Sequence, residues 1–173
     1  MRTLGLVAAA GYGVDQRLRV EIAEPAAEAG WRLAITLTPT AARWMDAAGE
    51  TPRLRALTEL PLRSTGRLPS QPKPYPTPDA FLFVPATANS LAKLALGIAD
   101  NQALTALGEA LGTPGVRVVI RPQADPAQRA HPRWQSHLDT LQSAGAYISD
   151  AGVADPWTPL LDLLDPRVAR SGK

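Results

Sequence analysis

The sequence predicts an α/β protein: a parallel sheet with helices on both of its faces. Three observations predict it. Short apolar runs recur along the chain, segments with apolar residues every three to four positions separate them, and short turns join the two. At 173 residues the chain is long enough for one domain with a proper core. Hydrophobic residues make up 45% and charged residues 20%, close to globular averages, which excludes a disordered or fibrous chain.

The elements follow in order. Residues 3–10, TLGLVAAA, are an apolar run that ends in Gly11-Tyr12-Gly13, as a buried parallel strand meets a loop. Apolar residues at Val14, Leu18, Ile22, Ala26 and Ala29 keep helical spacing until Gly30, with Pro25 expected to end or kink the helix early. Residues 31–38 place Trp31, Leu33, Ile35 and Leu37 on one side of a second strand. A helix from Thr40 to about Ala48 follows, with Pro39 near its first turn. From Gly49 to Pro78 the patterning fades, apart from a helix at 52–57 and a short strand around Leu60–Arg63. SQPKPYPTP closes that stretch as an extended loop or lid. DAFLFVP, 79–85, is the most apolar strand, leading to helices at 89–96 and about 100–111. VRVVIRP at 116–122 is a strand, 132–144 a helix with Leu138 and Leu141 turned inward, and AYIS at 146–149 a last strand. The tail carries Trp157, Leu160, Leu161, Leu163 and Leu164 on a short amphipathic helix that packs or meets another subunit. The expected architecture is three-layered and Rossmann-like (flavodoxin-like), with a domain over 1–149 and a tail over 150–173. Ligands of such folds sit at the carboxyl ends of the strands, here the loops at 8–13, 38–42, 85–90 and 121–126.

Composition excludes further classes. With no cysteine there is no disulfide, thiolate metal site or cysteine nucleophile. The net charge of +2 comes from scattered arginines and three lysines rather than a basic stripe, so nucleic acid is not an expected partner. No run reaches the ~20 apolar residues of a bilayer span, and the start of the chain lacks a signal-peptide pattern. A cytoplasmic protein without membrane partners is expected. His131 and His137 stand six apart with no carboxylate pattern for a metal, so no metal site is expected. Seventeen prolines concentrate at 69–78 and 122–132, which marks both as loops.

Pro85-Ala86-Thr87-Ala88-Asn89 follows the most apolar strand, and Gly97-Ile98-Ala99-Asp100-Asn101 begins eight residues after Asn89. This pair closely resembles the flavoprotein family of homo-oligomeric flavin-containing cysteine decarboxylases, phosphopantothenoylcysteine decarboxylase-like, over about residues 2–149. Ala42-Arg43-Trp44 makes it most similar to the actinobacterial subgroup. The resemblance implies FMN as cofactor, with Pro85, Ala86, Thr87, Ala88 and Asn89 lining the isoalloxazine ring. Small residues let backbone approach a flat ring, and a carboxamide offers a donor and an acceptor to its pyrimidine edge. Taken alone, Asn89 reads as the cap of a helix beginning at Ser90. The phosphate is expected at helix N-termini. Ala8, Ala9, Ala10 and Gly11 match the turn where the family has Thr-Gly-Ser-Ile, which implies Ala9, Ala10 and Gly11 as cofactor contacts, and Thr38 and Thr40 match its Thr-x-Ser-Ala. Both threonines also read as helix N-caps. Trp44 falls where the family has an aromatic near the cofactor, or else packs in the core.

The pattern also departs from the family. Gln71, eight residues before Asp79, stands at the position of a histidine that acts as acid or base, and glutamine does not titrate near neutral pH. Pro122-Gln123-Ala124-Asp125 replaces Pro-x-Met-Asn, whose asparagine recognises a substrate carboxylate. Arg121, Gln123 and Asp125 are thus the substrate-binding candidates, Arg121 offsetting the repulsion by Asp125 or being solvated. The family's chemistry implies flavin oxidation of a cysteine side chain to a thioaldehyde, which then acts as electron sink for loss of carbon dioxide. A chain without cysteine is expected to leave an oxidised product and a reduced flavin that needs an outside acceptor. Three functions are weighed: an FMN enzyme acting on a small or peptide-linked substrate, a degenerate flavin-binding regulatory subunit, and a relic that binds no cofactor. The resemblance implies a homotrimer or larger homo-oligomer.

Overall fold

The structure, a computed structural model, describes residues 1–165; the last residues of the expected tail, 166–173, lie outside the described residues. In chain order the elements are β1 (Thr3–Ala8), α1 (Val14–Arg17) running through a π-helical turn (Leu18–Ala23) into α2 (Glu24–Glu28), β2 (Arg32–Leu37), α3 (Pro39–Ala47) and α4 (Thr51–Arg55). Next come β3 (Ala80–Thr87), α5 (Ala88–Ala95), α6 (Gln102–Leu111), β4 (Arg117–Gln123), α7 (Pro126–Arg129), α8 (Trp134–Ser143), β5 (Tyr147–Ile148) and a 3-10 helix (Thr158–Leu164). The strands make one parallel sheet in the order β2-β1-β3-β4-β5, the Rossmann-like α/β architecture that the sequence predicts.

Alternation along the strands divides the core in two. Leu4, Leu6 and Ala8 of β1 join Leu33, Ile35 and Leu37 of β2 against the face covered by α1, α2, α3 and α4. Val7 and Ala9, with Phe81 and Phe83 of β3, face α5, α6 and α8. The three central strands β1, β3 and β4 are therefore apolar on both sides, as a sheet covered on both faces requires. Gly5 is part of this fit. A Cβ there would lie 2.4 Å from the Phe81 ring. The tail joins the first layer: Trp157 is fully buried, and Leu160 and Leu164 pack beside it on the strands.

Several elements differ from expectation for identifiable reasons. Pro25 does not end the first helix. The rod passes it through the π turn, where the Glu24 N–H bonds to the Arg19 carbonyl, and runs on to Glu28. The expected strand at Leu60–Arg63 is a single parallel bridge between Thr36 and Arg63, followed by a proline-rich strap whose Tyr75 hydroxyl lies 3.2 Å from Thr36 Oγ1. Strand β1 stops at Ala8, because the Ala9 N–H turns to the Pro85 carbonyl at 3.0 Å. β4 continues through Pro122 to Gln123, one residue past the expected strand, and then α7 begins, capped by Asp125.

Candidate functional site

The carboxyl ends of β1, β2 and β3 open into a cleft of about 440 Å³. Three loops supply its floor. After β1 come Ala9 and Ala10, after β2 Thr38 to Thr40, and after β3 Thr87, Asn89 and Ser90. Lys93 of α5 and Asp100 and Asn101 before α6 complete its rim. A second cleft, about 310 Å³, adjoins it at Ala10 and Thr87. Gly11, Tyr12, Gln123, Ala124, Asp125, Gln128 and Val153 form its remaining walls. All lie at one edge of the sheet, where parallel strands end and helices begin.

Sequence and packing explain the turn after β1. A Cβ on Gly11 would sit 2.9 Å from the Pro85 ring, so the turn is drawn against β3 in a way that only glycine allows. Among the described residues the Ala10 N–H has no protein acceptor. Helices α3 and α5 also begin here, and the first N–H groups of a helix lack intrahelical partners. Their threonine caps are occupied: Thr38 Oγ1 accepts the Ala41 N–H and Thr87 Oγ1 the Ser90 N–H, each at 3.3 Å. Thr87, not Asn89, is the cap of α5, so the Asn89 side chain stays exposed at the cleft without a protein partner among the described residues. Thr40 Oγ1 accepts from Arg43 at 3.2 Å.

Not every candidate reaches the clefts. Pro85 and Ala86 are buried within β3, behind the cleft floor. Ala88 faces a separate cavity of about 200 Å³ with His131, Trp134 and His137. Trp44 is 47% exposed on α3, lines neither cleft and is not core. Gln71 lies in the exposed strap, its Oε1 accepting the Leu68 N–H at 2.8 Å, and is also outside both clefts. Among the substrate candidates, Gln123 and Asp125 line the second cleft. Gln123 donates from Nε2 to the Tyr12 carbonyl at 2.9 Å, which leaves its Oε1 buried without a partner among the described residues. Asp125 Oδ1 accepts the Gln128 N–H at 2.7 Å in a capping box, so its carboxylate serves α7. Arg121 is not solvated but buried, two residues deeper on the same face of β4, where it donates to the Gly152 carbonyl. Burial pushes its pKa down from the usual value, and Asp155 opposes that shift.

Four polar residues at the first cleft are not among the candidates the sequence offers: Ser90, Lys93, Asp100 and Asn101. Two signals pointed to them. Asp100 and Asn101 stand in the quoted GIADN motif, and Lys93 follows Asn89 by one helical turn, so the two share a face of α5. Lys93 and Asp100 pair at 2.5 Å.

A parallel α/β sheet with paired clefts at the carboxyl ends of β1, β2 and β3 has the arrangement in which open α/β folds bind their ligands. The Flavoprotein family model matches residues 28–168, and the chain belongs to that family. It is 40% identical over 74 residues to a cysteine/cysteine sulfinic acid decarboxylase from an unknown prokaryotic organism. That match spans 43% of the chain and 20% of the relative. Among solved structures it resembles the FMN-dependent cysteine decarboxylase TvaF of thioviridamide biosynthesis (TM-score 0.69, 22% identity, covering 95% of this chain and 96% of that one). It also resembles the epidermin biosynthesis protein EpiD from Staphylococcus aureus (TM-score 0.67, 15% identity, 92% and 89%). These two likenesses are of fold.

Proposed function

We propose that the chain is an FMN-binding protein of the cysteine-decarboxylase type, acting on a small or peptide-linked substrate in the second cleft. The convergence of the Ala10 amide, the first turns of α3 and α5 and the free Asn89 carboxamide on one cleft carries this reading. The residues present suit the cofactor. Amides and helix N-termini attract a phosphate, alanines admit a flat ring, and Asn89 offers both hydrogen-bonding senses to an imide edge. Ala9, Ala10, Gly11, Thr38, Thr40, Thr87 and Asn89 would hold it, while Pro85, Ala86 and Ala88 support the loop after β3 from outside the cleft.

When bound, FMN supplies a two-electron oxidant. A cysteine-type substrate would lose two hydrogens from its CH2–SH group to become a thioaldehyde, and the C–CO2 bond then breaks with its electron pair drawn into that sink. Gln123 Oε1 would accept an N–H of the substrate. No histidine lines either cleft, so the chain's own residues offer little acid–base assistance there. With no cysteine to help return electrons to the intermediate, the product would leave oxidised and the electrons would pass to an external oxidant. The lack of acid–base assistance favours the second reading, a flavin-binding subunit without turnover. The motif resemblance leads us to propose further that the chain assembles as a homotrimer and works in the cytoplasm.

Purified, unboiled protein should show the two flavin absorbance bands and release FMN, identified by mass. Anaerobic addition of cysteine or a peptide ending in cysteine should bleach the longer-wavelength band and release carbon dioxide. Yellow protein that never bleaches supports the binding subunit. Colourless protein that takes up no added FMN overturns both.

A further inference from the structure

Backbone amides and helix N-termini attract a phosphate with partial charges, and a full positive charge at the cleft would add to them. Among the residues lining that cleft, Lys93 is the one basic side chain. Its position is built rather than incidental. Lys93 Nζ meets Asp100 Oδ2 at 2.5 Å, and Asp100 Oδ1 accepts from the Asn101 side chain at 3.1 Å. Asn101 Oδ1 in turn accepts the Leu104 N–H as the cap of α6. Asp100 thus bridges Lys93 of α5, through Oδ2, to Asn101 at the start of α6, through Oδ1. The Lys93 ammonium has three protons, and Asp100 is its one protein acceptor among the described residues. Meanwhile Thr87 Oγ1 accepts the Ser90 N–H and donates to Ser90 Oγ, while Thr38 and Thr40 accept from the Ala41 N–H and Arg43, so the hydroxyls these threonines can offer a phosphate are neutral donors. The turn after β1 carries alanines, with no hydroxyl to add.

We propose that Lys93 is the cation that meets the phosphate of bound FMN, with Asp100 holding the ammonium at the cleft rim and tempering its charge. This rests on the flavin reading above and adds to it a residue and a sign. A positioned ammonium strengthens binding of the phosphorylated ligand and leaves binding of the unphosphorylated one untouched. Removing Asp100 raises the net charge of the rim and should favour the anion, whereas a merely structural ion pair would be damaged equally from either side. Because Lys93 is partly exposed, its contribution should also fall with salt.

The test is a titration of flavin-stripped, full-length protein with FMN and with riboflavin, followed by flavin fluorescence at low and high potassium chloride. Lys93→Met should weaken FMN about tenfold, the scale of one charge-assisted hydrogen bond, and leave riboflavin within about twofold. It should also flatten the salt dependence of FMN binding. Lys93→Arg should retain most of the FMN affinity, and Asp100→Asn should raise it. Equal loss of FMN and riboflavin in Lys93→Met, no loss of either, or weaker FMN binding in Asp100→Asn overturns the proposal while the flavin reading stands. Wild-type protein that binds neither flavin overturns the flavin reading and the proposal with it. If Lys93→Met fails to fold by circular dichroism, Lys93→Gln gives the same comparison.

Discussion

Gly11 has no side chain because Pro85 leaves no room for one. A methyl group there would meet two ring carbons at 2.9 Å, and a buried proline ring does not swing aside as a flexible side chain would. Gly11→Ala should therefore cost about 1–3 kcal/mol, the range of overpacked cores. It should also shift the neighbouring Ala10 amide, so FMN affinity should fall in a fluorescence titration along with the melting temperature in calorimetry. Glu21 is a second residue whose surroundings set its behaviour. Arg17, bonded at 2.7 and 3.0 Å, holds its carboxyl below the ordinary value of 4.5; burial works against this, and the Trp157 N–H assists. A carboxylate with a depressed folded pKa adds stability above its unfolded value, and that stability is lost as pH falls through the folded one. Glu21→Gln should thus be less stable than wild type at pH 7, with the gap in urea midpoints closing as pH drops well below 4.5. A constant gap would locate its contribution elsewhere.

Elements are joined by side chains distant in sequence, and the tail shows this best. Arg17 stacks over the Trp157 ring at 4.4 Å and donates to the carbonyls of Val153 and Asp155, while Glu21 accepts the Trp157 N–H. The segment after β5 is thereby fastened across α1 and the end of β4, and Val153 becomes a wall of the second cleft. Trp157→Ala should cost about 3–5 kcal/mol, as large-to-small changes at buried aromatics do, measured as a lower denaturant midpoint. The 3.6-residue and two-residue periods made the helices and strands legible, because burial on a face repeats at those intervals. Neither period reveals a π turn. Pro25 reads as a stop in isolation, yet Ile22 and Ala26 are both buried, and the helix keeps them on the sheet by inserting the π register. Short caps were hard to read for a related reason: Asn89 and Thr87 are both good N-cap residues, and only the backbone's exit from β3 chooses Thr87.

At the scale of the whole molecule, exposed apolar side chains remain where α5 turns to α6: Leu96 is 61% and Ile98 44% exposed. Covering them is one motive for the proposed assembly, and light scattering should give a mass three times the 18.4 kDa chain. Ile98→Asp should lower that mass toward the monomer without unfolding the chain, and a wild-type monomer would remove the trimer from the proposal. By itself the sequence determined the α/β class, the one-edge placement of the loops and the family, since periodicity and the PATAN and GIADN motifs are local and survive without neighbours. Tertiary structure alone decided which candidates share a cleft. It placed Ala10, Thr38, Thr40, Thr87 and Asn89 together, kept Gln71 and Trp44 apart from them, buried Arg121 beneath the tail and committed Asp125 to capping α7. It also brought Lys93 and Asp100 to the rim. The reason is physical: a side chain's partners are set by the crossing of segments far apart in the chain, and those crossings depend on how the sheet and its two layers pack.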